Sequence, residues 1–143
     1  MTYRFSDNHP VPIRRLRDPI SRKVIDLWET MDACHLQLPD DRVVYIEKGF
    51  MFDKASVPRM AWWYLPRDDR YVIDAALVHD KLFDCQEIEG NWISRHEADS
   101  IFRDLIELAG MRPTKVAVVY ALLRMGSWLP WGRTAKLLGN PYG

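Results

Sequence analysis

Two spacings of apolar residues divide this chain. Over residues 24–52 the apolar positions come in short runs that suit strands, at 24–25, 27–28, 35–38 and 42–46. The turn formers Pro39-Asp40-Asp41 separate the last two runs and predict a hairpin there. Gly49 closes this region. Ala55-Ser56-Val57-Pro58 reads as a loop, because a residue before proline avoids the helical region. From Asp69 the period becomes helical, and the first helix is expected over residues 69–84. Ser94 and Glu97 form an S-x-x-E capping box at the head of a second helix, which Gly110 stops. Pro113 suits the first turn of a third helix, expected to end near Gly126. The stretch Trp128-Leu129-Pro130-Trp131-Gly132 is aromatic and broken by proline, and is expected to lie as a strap over the helices. The predicted fold class is α+β, a small N-terminal antiparallel sheet or hairpins followed by about three packed helices. One domain is expected, with an arm at 1–23, a β-rich half at 24–58, a helical half at 69–126 and an aromatic tail at 127–143.

Composition narrows the classes. With 143 residues, 48% hydrophobic and 28% charged, the chain has the profile of one folded domain. Twenty basic residues balance twenty acidic ones, so the net charge is zero and no nucleic-acid partner is expected. The basic cluster Arg14, Arg15, Arg17, Arg22 and Lys23 reads as a solvated arm. Cys34 and Cys85 form no C-x-x-C pair and are expected to be free thiols in a reducing compartment. The first residues carry no apolar run, so no secretory leader is expected, and the longest apolar stretch, at 116–123, is too short to span a membrane.

The chemistry gathers on the first two helices. At about 100° per residue, Val72, Ala75, Ala76, Leu82 and Phe83 fall within about 60° of His79, which places the imidazole in the middle of the buried stripe. Asp80 falls at the edge of that stripe. On the second helix Asp99 lies at the edge of the stripe formed by Ala98, Ile101, Phe102, Leu105 and Ala109. Packed antiparallel by these faces, the helices can bring His79 and Asp99 together. A carboxylate on one imidazole nitrogen fixes the tautomer and lets the other nitrogen take a proton from water. The same pair also serves simply to satisfy polar groups in a small core.

His79-Asp80-Lys81-Leu82-Phe83-Asp84 and Ala98-Asp99-Ser100-Ile101-Phe102 resemble the H-D-x-x-Y-D … A-D-x-x-F pattern of phospholipase A2. That resemblance implies His79 as general base, Asp99 as its orienting partner and Asp80 as a calcium ligand. Phe83 stands where that family has tyrosine. No glycine lies between Met51 and Asp84 to form the family's calcium loop. Calcium is thus a possible cofactor that this stretch equips with few ligands. A longer stretch, 49–126, resembles a family of small phage and prophage proteins with the signature G-F-x-T-D-G-A-S-x-P, then Trp62-Trp63, A-x-x-H-D and S-R-x-x-A-D-x-x-F. Phe52 and Lys54 depart from that signature. The resemblance implies a phage or prophage gene, and a shared site of Asp53, Ser56, His79, Asp80 and Asp99. Phe83 and Arg95 are further supporting candidates.

Two other arrangements are weaker. His96 and Asp99 share a helix face at i, i+3, but a helical H…HD…D metal site needs an upstream histidine, and His35 falls in an expected strand. Ser56 has no G-x-S-x-G elbow around it, so Asp53-Lys54-Ala55-Ser56 reads as a hydrogen-bonded turn. The expectation is therefore a His79/Asp99 hydrolase directed at lipid esters. Its alternative is a non-enzymatic phage protein (particle component, assembly factor or host-defence inhibitor) with the pair as polar core. A phage or host protein, or a phospholipid surface met by the aromatic tail beside Arg124 and Arg133, is the expected partner. The expected location is the host cytoplasm or the phage particle.

Overall fold

The computed structural model describes residues 2–8, 10, 12–22, 24–52 and 70–143. The chain divides into two compact units, 1–53 and 54–143. The strands of the first unit precede the helices, and a short hairpin lies between the first two helices, an α+β arrangement.

The first unit holds two three-stranded antiparallel sheets. In one, β4 (Cys34–Gln37) lies between β1 (Arg4–Phe5) and β5 (Val43–Ile46). The register pairs Cys34 with Ile46 and Leu36 with Val44, so the buried apolar residues of both strands share one face. His35 and Tyr45 pair on the exposed face. Pro39-Asp40-Asp41 turns the hairpin as expected. Leu38 N–H donates to the Arg42 carbonyl (2.8 Å), Asp41 adopts φ 72°, and the Asp40 carboxylate accepts from the Arg42 side chain at 2.8 Å. In the other sheet β3 (Val24–Thr30) lies between β2 (Ile13–Arg17) and β6 (Met51–Phe52). Buried Thr30 fastens its return: the hydroxyl donates to the Glu47 carbonyl (2.8 Å) and accepts from Phe50 N–H (3.0 Å).

The expected arm is thus not bare, because Arg4–Phe5 and Ile13–Arg17 pair into the sheets as β1 and β2. Arg14, Arg15 and Arg17 are exposed along β2, where Arg14 meets Glu29 (3.2 Å) and Arg15 stacks over Trp28. Residues 24–30 form one strand rather than two short runs.

The second unit holds α1 (Arg70–Cys85), α2 (Arg95–Leu108) and α3 (Pro113–Leu138). A short hairpin of β7 (Glu87–Ile88) and β8 (Asn91–Trp92) joins the first two helices. Its two-residue loop, Glu89-Gly90, has positive φ at both positions, which matches the strand twist. Ser94 caps α2 as its sequence predicts, its hydroxyl accepting from Glu97 N–H (3.2 Å). Gly110, at φ 95°, ends the helix.

The largest departure from expectation is α3, which runs 26 residues, through Gly126 and Pro130, to a left-handed Gly139. The tail is therefore helix, not a strap. Proline is tolerated because Pro130 and Gly126, whose carbonyl loses its intrahelical donor, both lie on the exposed face where water can take that role. One residue on, Trp131 is buried and packs edge-on against Phe83 (centroids 5.1 Å), holding the helix past the proline. Replacing the α2 cap, Ser94→Ala, is expected to lower stability by about 1 kcal/mol in urea denaturation; an unchanged midpoint would show that α2 does not depend on its cap.

A buried His79–Asp99 network as candidate functional site

His79 leaves α1 from the centre of its inner stripe, with Ala75 and Ala76 one turn back, and is 1% exposed. Asp99 comes from the second turn of α2. The His79 Nε2–H donates to Asp99 Oδ1 at 2.8 Å, with both side chains fully shut from solvent. This is the contact that the helical projection allows. The projection sets Asp99 at the edge of its buried face, whereas its carboxylate is wholly buried, because α3 covers that flank.

The covering helix brings two more donors. Arg124 Nη1 donates to Asp99 Oδ2 at 2.8 Å, and the Ser127 hydroxyl donates to the same oxygen at 3.0 Å. Arg95, one turn before Asp99 on α2, reaches the same oxygen at 3.5 Å. It also donates to the Ser127 hydroxyl and the Arg124 carbonyl, both at 2.9 Å. One carboxylate therefore gathers donors from α1, α2 and α3. Partial burial, and then the Arg124 charge beside it, hold the Arg95 guanidinium below its ordinary pKa, partly countered by Asp99.

Around the imidazole the walls are aromatic. Phe102 meets it edge-on (5.4 Å between centroids) and Phe83 lies tilted at 5.7 Å. Phe83, set where the phospholipase pattern has tyrosine, gives His79 a ring face and passes the contact on to Trp131. A second polar cluster sits where α1 ends and α2 begins. Gln86 Nε2 donates to the Trp131 carbonyl (3.1 Å), and Asn140 donates to Gln86 Oε1 (2.9 Å) and the Ile93 carbonyl (3.1 Å).

Asp80 is half-buried at the stripe edge, as projected. Among the described residues no three His, Cys, Asp or Glu side chains are grouped to hold a metal ion. His96 is exposed while Asp99 is buried, which parts that pair, and His35 lies in β4 as expected. Asp53 and Ser56 lie outside the described residues. Both cysteines are free thiols; burial pushes the Cys85 thiol up, away from the thiolate a nucleophile needs.

A family model for Protein of unknown function (DUF1353) matches residues 28–123. The chain belongs to that family. The matched stretch runs from Trp28 in β3 to Leu123 in α3 and includes His79, Arg95 and Asp99. Arg124 and Ser127 fall just past its end. No curated protein and no solved structure shows significant similarity to the chain.

The sequence reading missed Arg124 and Ser127 as partners of Asp99. The signal for them is their spacing of three residues, which places them on one face of a helix only if α3 continues beyond Gly126. Removing the carboxylate strands these donors. Asp99→Ala is expected to cost about 3–5 kcal/mol in urea denaturation. Arg124→Ala should cost less, and Arg95→Ala least, since Arg95 stands farther from the carboxylate and is partly solvated. A loss under about 1 kcal/mol for Asp99→Ala would refute the network as a support of the fold.

Proposed function

We propose that the chain is a small phage or prophage protein that works by binding, with the His79–Asp99 network as the polar core of its helical unit. The observation that carries this reading is the enclosure of the pair. The His79 ring is 1% exposed between Phe83 and Phe102, and Asp99 spends both oxygens on His79, Arg124, Ser127 and Arg95. A general base must meet the proton it abstracts, directly or through one water. The imagined attacking water has no open approach to an imidazole so covered. Gly49 to Pro58, the His79-Asp80 pair and Ser94 to Phe102 support the phage origin through their likeness to small phage and prophage proteins.

One observation favours a second reading, a phospholipase A2-like hydrolase. The 2.8 Å contact joins the same histidine and aspartate that the H-D … A-D pattern would pair. That reading needs a movement that uncovers His79, and a calcium site completed by groups beyond the described carboxylates and imidazoles.

Release of labelled fatty acid from phospholipid, with and without calcium, separates the two. The binding reading expects no release by the wild-type chain above that of His79→Gln. Calcium-dependent release that disappears in a His79→Gln variant with an unchanged denaturation midpoint would overturn it in favour of the hydrolase.

A further inference from the structure

α3 has a second face, opposite its buried one. Val116, Val119, Leu123, Ser127 and Trp131 point inward. At about 100° per residue, Val118, Ala121, Met125, Trp128 and Leu129 form a stripe roughly half a turn away. All five are exposed, Met125 at 72% and Trp128 at 59%. The helix thus shows apolar residues to both the core and its surroundings.

Charge is as one-sided as the stripe. The helix carries Lys115, Arg124, Arg133 and Lys136 and no acidic residue. Arg124 turns in to Asp99, whereas Arg133 and Lys136 are exposed and Lys115 is half-buried. Lys136 projects within the stripe, and Lys115 and Arg133 along one of its borders. An overall net charge of zero conceals this cationic face.

We infer that this outer face of α3 docks on an anionic phospholipid surface, lying in the headgroup plane. The inference rests on the binding reading above and names its partner. A helix with tryptophan, methionine and leucine on one face and cations beside them matches both layers of such a surface. The apolar side chains enter the acyl boundary while the lysines and arginine meet phosphate. The helix does not cross the bilayer: among the described residues no helix is long and apolar enough. A second copy of the chain is a poorer occupant. Whether two α3 helices pair parallel or antiparallel, cations meet cations, and no acidic residue on α3 offsets them.

The test is flotation of the full chain with vesicles of phosphatidylcholine, alone or mixed with an equal part of phosphatidylglycerol. Binding to the mixed vesicles only, weakened by salt, is expected. Arg133→Gln and Lys136→Gln should each weaken it about fivefold, and Trp128→Ser should weaken it further. These positions are exposed, so the variants keep the core intact. No flotation with the mixed vesicles, or flotation unchanged in all three variants, overturns the docking face. So does a dimer in sedimentation that Met125→Asp dissolves, since that assigns the stripe to a second copy. Fatty-acid release in the separate hydrolysis assay overturns the binding reading and leaves vesicle docking standing, so the two failures are distinguishable.

Discussion

A carboxylate withdrawn from water needs donors for both oxygens, and several kcal/mol are at stake when they are missing. Asp99 imposes that need on the helical unit. Its own helix supplies only Arg95, at the long distance of 3.5 Å, so the close donors come from α1 and α3. The requirement therefore fixes more than one contact. It sets the rotation of α1 that turns His79 inward, and the length of α3 that carries Ser127 onto the same oxygen as Arg124. Apolar packing alone tolerates small slides between helices, whereas a charge with named donors does not.

Local chemistry was legible wherever a short pattern determines it. Ser94 with Glu97, the turn at Asp40-Asp41 and the arrest at Gly110 each depend on residues near in sequence, and each formed as read. The meeting of His79 with Asp99 was legible for a related reason: two amphipathic helices have few ways to bury their stripes. Illegible parts depended on context. Pro130 stops a helix in isolation, but not where the freed carbonyl faces water and the next residue, Trp131, is buried in the core. Reading the helix as ended at Gly126 then hid Ser127, and with it the enclosure of Asp99. The short strands β1 and β2 escaped notice because a two-residue strand and an arginine-rich edge carry little periodicity.

α3 performs two tasks with one sequence. Its inner positions deliver Arg124, Ser127 and Trp131 to the core, and its outer positions present an apolar stripe flanked by cations. Apolar residues on both faces leave such a helix with little amphipathic contrast, which is why its sequence pattern says less than that of α2 about which side faces inward.

Asn140 has a consequence for the chain as a physical object. It lies just past the Gly139 cap of α3, and its amide holds Gln86 at the exit of α1 and Ile93 at the entry of α2. The turn after α3 is therefore a latch that ties the exit of α1 to the entry of α2. The hairpin tip at Asp40-Asp41, exposed and bonded mainly to itself, is the better place for foreign sequence to enter.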